Sequence, residues 1–82
     1  MKLRLRYFAS LRESLGKSQE DLTTDATTVG ELRDQLLSHG GAYLCLARDK
    51  AVRMALNQVM VAEDAPLTDN AELAFFPPVT GG

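Results

Sequence analysis

The sequence predicts an α+β fold, a mixed β-sheet with one main helix packed on one face. Three observations predict it. Residues 2–8 alternate apolar and charged side chains, the period of a half-buried strand. Thr28 and Glu31 have capping-box spacing, and Val29, Leu32, Leu36 and Leu37 then share one helical face. Leu73-Ala74-Phe75-Phe76 is a short apolar run that stops at Pro77-Pro78. It reads as a buried strand ended by residues that cannot donate ladder hydrogen bonds. One helix on a mixed sheet is a two-layer sandwich. For 82 residues a single core of that kind is the ceiling.

Composition narrows the function classes. Hydrophobic content of 45% and charged content of 24% suit one globular domain. No apolar run approaches the length that spans a bilayer. Met1-Lys2-Leu3-Arg4-Leu5-Arg6 alternates in character and is no signal-peptide core, so a cytoplasmic location is expected, with no membrane partner. A net charge of −2 offers no general argument for nucleic acid. Lys2, Arg4, Arg6, Arg12 and Lys17 are nevertheless five of the nine basic residues, opposed locally by Glu13. They form either one solvated sheet face or a docking surface for an acidic partner.

Taken in order, strand one should turn Leu3, Leu5 and Tyr7 to the core and Lys2, Arg4, Arg6 and Phe8 away from it. Phe8 is the misfit on a charged face. Ser10 with Glu13 is a second capping-box pair, and Gly16 suits the position after a helix, so residues 10–15 should form one short turn. Residues 17–24 are polar around Leu22 and should return as a hairpin on strand one. The main helix is expected over 28–39, with His39 in its last turn and Gly40-Gly41 ending it. Residues 42–51 fix no period. Val52, Met54 and Leu56 alternate with Arg53, Ala55 and Asn57 as a strand, and Val59-Met60-Val61 makes another. Asn57-Gln58 between them is a turn or a continuation. Pro66 to Asn70 is loop chemistry, with Asn70 suited to a left-handed conformation. Residues 71–76 are the last strand.

A helix crossing after an N-terminal hairpin, with the last strand returning beside the first, is the β-grasp arrangement. It leaves Lys2, Arg4, Arg6 and Phe8 on the solvent face and places the last strand centrally. Residues 1–76 then form the domain and residues 77–82 an extended tail.

Internal catalytic chemistry is not indicated. One His and one Cys make no metal cluster. His39 reads as a helix-end surface residue and Cys45 as a small core hydrophobe. Gly30 and Gly40-Gly41 fit no phosphate-binding pattern. Glu20-Asp21 and Glu63-Asp64 read as solvated surface. The tail remains. Pro77 and Pro78 stiffen it, Val79 and Thr80 favour extended backbone, and Gly81-Gly82 end it without side chains. Such an end suits insertion into a narrow channel. A free carboxylate is a poor electrophile, so chemistry at Gly82 needs activation, for which an acyl-adenylate provides a leaving group. Sulfur delivery would then give a thiocarboxylate, and amine attack an isopeptide.

Three stretches carry a resemblance to a known family. They are Phe75-Phe76-Pro77-Pro78-Val79-Thr80-Gly81-Gly82, Phe8-Ala9-Ser10-Leu11-Arg12-Glu13, and Asn57-Gln58. Through them the chain resembles the small, sulfur-carrying subunits of molybdopterin synthase over essentially its whole length. Residues 17–51 match only in pattern and length. The resemblance implies a ubiquitin-like β-grasp fold. It implies that an E1-like adenylyltransferase uses ATP to adenylate Gly82, which is then thiocarboxylated, with no cofactor held by the chain itself. Pro77, Pro78, Val79, Thr80 and Gly81 would insert the tail into the large synthase subunit. There the sulfur would pass to precursor Z, the cyclic pyranopterin monophosphate, to build the dithiolene. Two large and two small subunits would form a heterotetramer. Phe8 and Phe76 fall at the family's contact surface. Arg12 either pairs with a partner carboxylate or only flanks the short helix. The large subunit would supply the catalytic groups, so this chain alone is not a catalyst. A thiazole-type sulfur carrier, a ubiquitin-like modifier and an inert-tailed interaction module are the alternatives.

Overall fold

The N-terminal alternation becomes strand β1 (Lys2–Tyr7), with Leu3, Leu5 and Tyr7 buried and Lys2 and Arg4 exposed. A computed structural model of the chain describes residues 1–78. Helix α1 (Ser10–Leu15), strand β2 (Gln19–Thr23) and helix α2 (Val29–Ser38) follow. Two 3-10 segments (Gly41–Leu46 and Arg48–Lys50) lead to β3 (Arg53–Leu56), β4 (Val59–Val61) and β5 (Ala71–Phe76). The sheet order is β2-β1-β5-β3-β4. β1 and β5 run parallel, and the other three pairings are antiparallel. The last strand is therefore central, as the β-grasp expectation requires. A parallel neighbour demands a long crossover, and α2 lies within it.

Burial explains why α2 forms where it does. Val29, Leu32 and Leu36 are at most 1% exposed and meet Leu3, Leu5, Leu73 and Phe75 of the sheet in one core. Each fully buried leucine contributes about 2 kcal/mol. Thr28 caps the helix, its Oγ1 accepting from the Glu31 amide at 3.2 Å. The reciprocal half of the box is shifted by one residue. Glu31 Oε1 accepts from the amide and hydroxyl of Thr27, each at 2.7 Å, and these bonds hold the Glu31 carboxyl below its usual range. Gly30 is needed for packing. Its amide donates to the Glu63 carbonyl at 2.8 Å, and a Cβ there would lie 3.1 Å from that of Glu63.

Three expectations need correction. Ser10 does not cap α1; it is the first helical residue, and Ala9 is the cap, with no side-chain bond. The reversal out of β1 takes up Ala9, so the cap position falls one residue earlier than the Ser-Glu spacing implies. Residues 42–51, which fix no period in the sequence, fall mostly within the two 3-10 segments. Glu20 is not a solvated surface carboxylate, because it faces the core side of the sheet and receives three donors. Glu63 is half-buried between Gly30 and Arg48.

One buried charge had no signature in the sequence. Arg33 of α2 is 4% exposed, and its Nε donates to the Leu46 carbonyl at 2.6 Å. Burial lowers its hold on the proton. Arg48 bridges Asp34 and Glu63, which ties the second 3-10 segment to α2, and the hydrogen bond from Arg48 keeps Asp34 below the usual carboxylate range.

Candidate functional site

The ladder between β1 and β5 pairs Tyr7 with Phe75 and extends one residue further, the Phe8 amide donating to the Phe75 carbonyl at 3.2 Å. Side chains alternate across a strand. Tyr7 and Phe75 thus face the core, at 1% and 0% exposure, and Phe8 and Phe76 emerge together on the opposite face. Their rings stack with centroids 4.7 Å apart and planes 7° from parallel. Behind them the Tyr7 and Phe75 rings stack at 5.7 Å. The two aromatic pairs sit back to back through the sheet, so the outer pair has a rigid mounting.

A polar cluster fixes the core side of that mounting. Tyr7 and Tyr43 both donate to Glu20 Oε2, at 2.7 and 2.8 Å. Lys17 Nζ lies 3.2 Å from the same oxygen and donates to the Tyr43 hydroxyl at 2.9 Å. Burial pushes the Tyr7 phenol strongly up, and its bond to Glu20 adds to this. Burial would also raise Glu20, but the Tyr7, Tyr43 and Lys17 donors outweigh it and hold the carboxyl below its ordinary value. The Lys17 ammonium is raised chiefly by its hydrogen bond to Tyr43. Glu20 is thus a charged tether between β2, β1 and the first 3-10 segment.

On the solvent face, the Arg6 guanidinium lies 5.3 Å from the Phe8 ring centroid, and its ion pair with Glu72 is loose at 3.5 Å. Arg6, Phe8, Gln58, Met60, Glu72 and Phe76 line a shallow concavity of about 330 Å³. Val59 and Met60 are 64% and 54% exposed and extend the apolar surface along β4. Arg12 is not part of this group; it is exposed on α1 and does not line the concavity.

The tail begins at the end of β5. Pro77 is half-buried and Pro78 exposed, beside a cavity of about 300 Å³ shared with Ser10, Leu11, Ser14, Cys45, Lys50 and Val52. Val79, Thr80, Gly81 and Gly82 lie outside the described residues. Cys45 packs partly buried against the core, and burial raises its thiol, which disfavours the nucleophilic thiolate. His39 is exposed beside Tyr43, with ring centroids 5.8 Å apart. Among the described residues, no group of three His, Cys, Asp or Glu side chains could hold a metal ion. No helix among them is long and apolar enough to cross a membrane. The arrangement can offer a rigid apolar patch with a loosely paired charge at its rim. Pro77 and Pro78 follow β5 directly beside that patch.

Residues 5–82 match the model of the ThiS family. The chain is 38% identical over 80 residues to the molybdopterin synthase sulfur carrier subunit of Escherichia coli (strain K12). That match covers 98% of this chain and 99% of the relative. Among solved structures, SAMP1 from Haloferax volcanii superposes with a TM-score of 0.79 at 26% identity, covering the whole of both chains. A chain from the complex of subunits 1 and 2 of the molybdopterin-converting factor of Helicobacter pylori 26695 has the same fold, with a TM-score of 0.71 at 24% identity over the whole of both chains.

Proposed function

The chain belongs to the ThiS family, and on that footing we propose that it is the sulfur carrier subunit of a molybdopterin synthase. The observation that carries the reading is the match over nearly all of a relative of that name, in a chain whose central strand ends in two prolines beside a half-buried aromatic pair on the face away from the core. Gly82 carries the reacting carbon. An E1-like adenylyltransferase activates its carboxylate with ATP, and a sulfur donor displaces AMP to leave a thiocarboxylate. The arm, Pro77 to Gly81, enters the large subunit, where the sulfur passes to precursor Z. Two large and two small subunits make up the assembly, in the cytoplasm.

Each part of the body then has a physical role. The central position of β5 gives its end paired neighbours on both sides, so the arm starts from a fixed direction. Phe8 and Phe76 offer the fully desolvatable anchors on which interface energy concentrates. Arg6, already close to Phe8, can meet a partner carboxylate by exchanging its loose pairing with Glu72. No proton-transferring pair is required of this chain.

Phe76→Ala is expected to weaken binding to the large subunit about thirtyfold, the range of an aromatic hot spot. The melting temperature should stay within about 5 °C of the parent, because Phe76 packs on Phe8 and not in the core. Titration calorimetry with the large subunit measures the first and a thermal melt the second. Unchanged affinity would remove the aromatic pair from the interface.

A further inference from the structure

Among the described residues, five other than glycine have positive φ: Ala9, Ala51, Asn57, Gln58 and Asn70. Asn57 and Gln58 form the two-residue connection between β3 and β4, with φ of 49° and 72°. Both central residues of such a turn need left-handed backbone, and the second is preferentially glycine. Asn57 is accounted for by the fold. Asparagine tolerates this conformation, its amide donates to the Glu72 carbonyl at 2.8 Å, and its Oδ1 accepts from the Glu72 amide at 3.0 Å. It pins the hairpin to β5.

Gln58 has no such account. Its backbone conformation favours glycine, and its side chain is exposed. Its carboxamide makes no hydrogen bond among the described residues. What it does is stand over the concavity that holds Phe8, Phe76 and Met60, at the end away from Arg6's partner strand β2. A long polar side chain placed at the margin of an apolar patch, in a turn that would fold better without it, has its use outside the chain.

We propose that Gln58 is a binding residue for the large synthase subunit, its carboxamide pairing with one peptide group of that partner as the aromatic patch is covered. A carboxamide offers both a donor and an acceptor, the complement of a peptide N–H and C=O. It carries no charge to desolvate when the surrounding apolar surface closes over it. This inference rests on the sulfur carrier reading, which names the partner.

The test is made on the full chain against the isolated large subunit. Gln58→Gly is expected to raise the melting temperature by about 4 °C, through relief of the turn. It should weaken binding about tenfold, the loss of one well-made hydrogen-bonded group. Gln58→Ala keeps an L side chain in the turn, so it should lose the same affinity without gaining stability. Affinity within twofold of the parent in both variants overturns the proposal, as does a Gly variant that binds weakly while Ala binds normally, which would assign the loss to hairpin stiffness. If the parent chain itself fails to bind the large subunit, the carrier reading falls and this inference falls with it.

Discussion

Deleting Gly81 and Gly82 is expected to abolish sulfur transfer by the reconstituted synthase, with the domain still folded and still bound to the large subunit. Two residues of extended chain span about 7 Å. Reacting atoms must come within about 3–3.5 Å, and a misplacement of even ~1 Å can cost a hundredfold in rate. A carbon drawn back by two residues is out of reach. The new terminus would be Thr80, whose branched Cβ crowds the carbon that glycine leaves open on both sides. The docking patch is untouched, since Phe8 and Phe76 precede the deletion. Formation of the pterin dithiolene product measures transfer, and a pull-down measures binding. Transfer retained within tenfold would mean that the arm is inert and that the reacting group lies elsewhere.

Phe75→Ala should remove a large share of the domain's stability. The ring is 0% exposed, sits on the central strand and stacks on Tyr7. Removing a buried phenylalanine costs about 3–5 kcal/mol in transfer and cavity energy. A domain of this size has about 4–12 kcal/mol in total, so the loss is a large part of it. The melting temperature should fall by roughly 15–30 °C. Circular dichroism on heating checks this, and a fall under about 5 °C would contradict the core assignment. The contrast with Phe76 is instructive. Adjacent residues of one side-chain type divide between the core and the opposite face because a strand turns alternate side chains to opposite sides.

Local rules made much of this fold legible. The alternation of residues 2–8 assigned both faces of β1 and singled out Phe8 on the charged face. Thr28 and the spacing of Leu32 and Leu36 located α2 within a residue or two at each end. Asn70 occupies the left-handed position expected of it, and Gly16 closes α1 in the same conformation. In each case the deciding interaction lies within a few residues along the chain.

What escaped the sequence depends on partners far away in it. Glu20 reads as surface until Tyr7 and Tyr43 arrive from β1 and from a 3-10 segment 23 residues on. Arg33 is buried because Leu46 presents a free carbonyl over α2, and neither residue signals the other. Residues 42–51 carry their apolar side chains as one run from Ala42 to Ala47, which shows neither a helical nor a strand period, and Leu46 and Tyr43 of that run pack onto the body in the first 3-10 segment. Ser10 and Ala9 show the opposite failure, a correct local motif displaced by the geometry of the strand end. Gln58 carries a local signal of its own. Asn-Gln where Asn-Gly is the preferred hairpin turn is itself a visible departure.

The central claim is that Gly82 carries sulfur as a thiocarboxylate. It is tested most directly by intact-mass spectrometry of the chain after incubation with its activating enzyme, ATP and a sulfur donor. The account predicts a species heavier by one oxygen-to-sulfur exchange, with fragment ions locating the change at Gly82. It also predicts that the shift disappears when ATP is omitted. A chain that stays at its unmodified mass under complete conditions, with the activating enzyme shown to be competent, would contradict it.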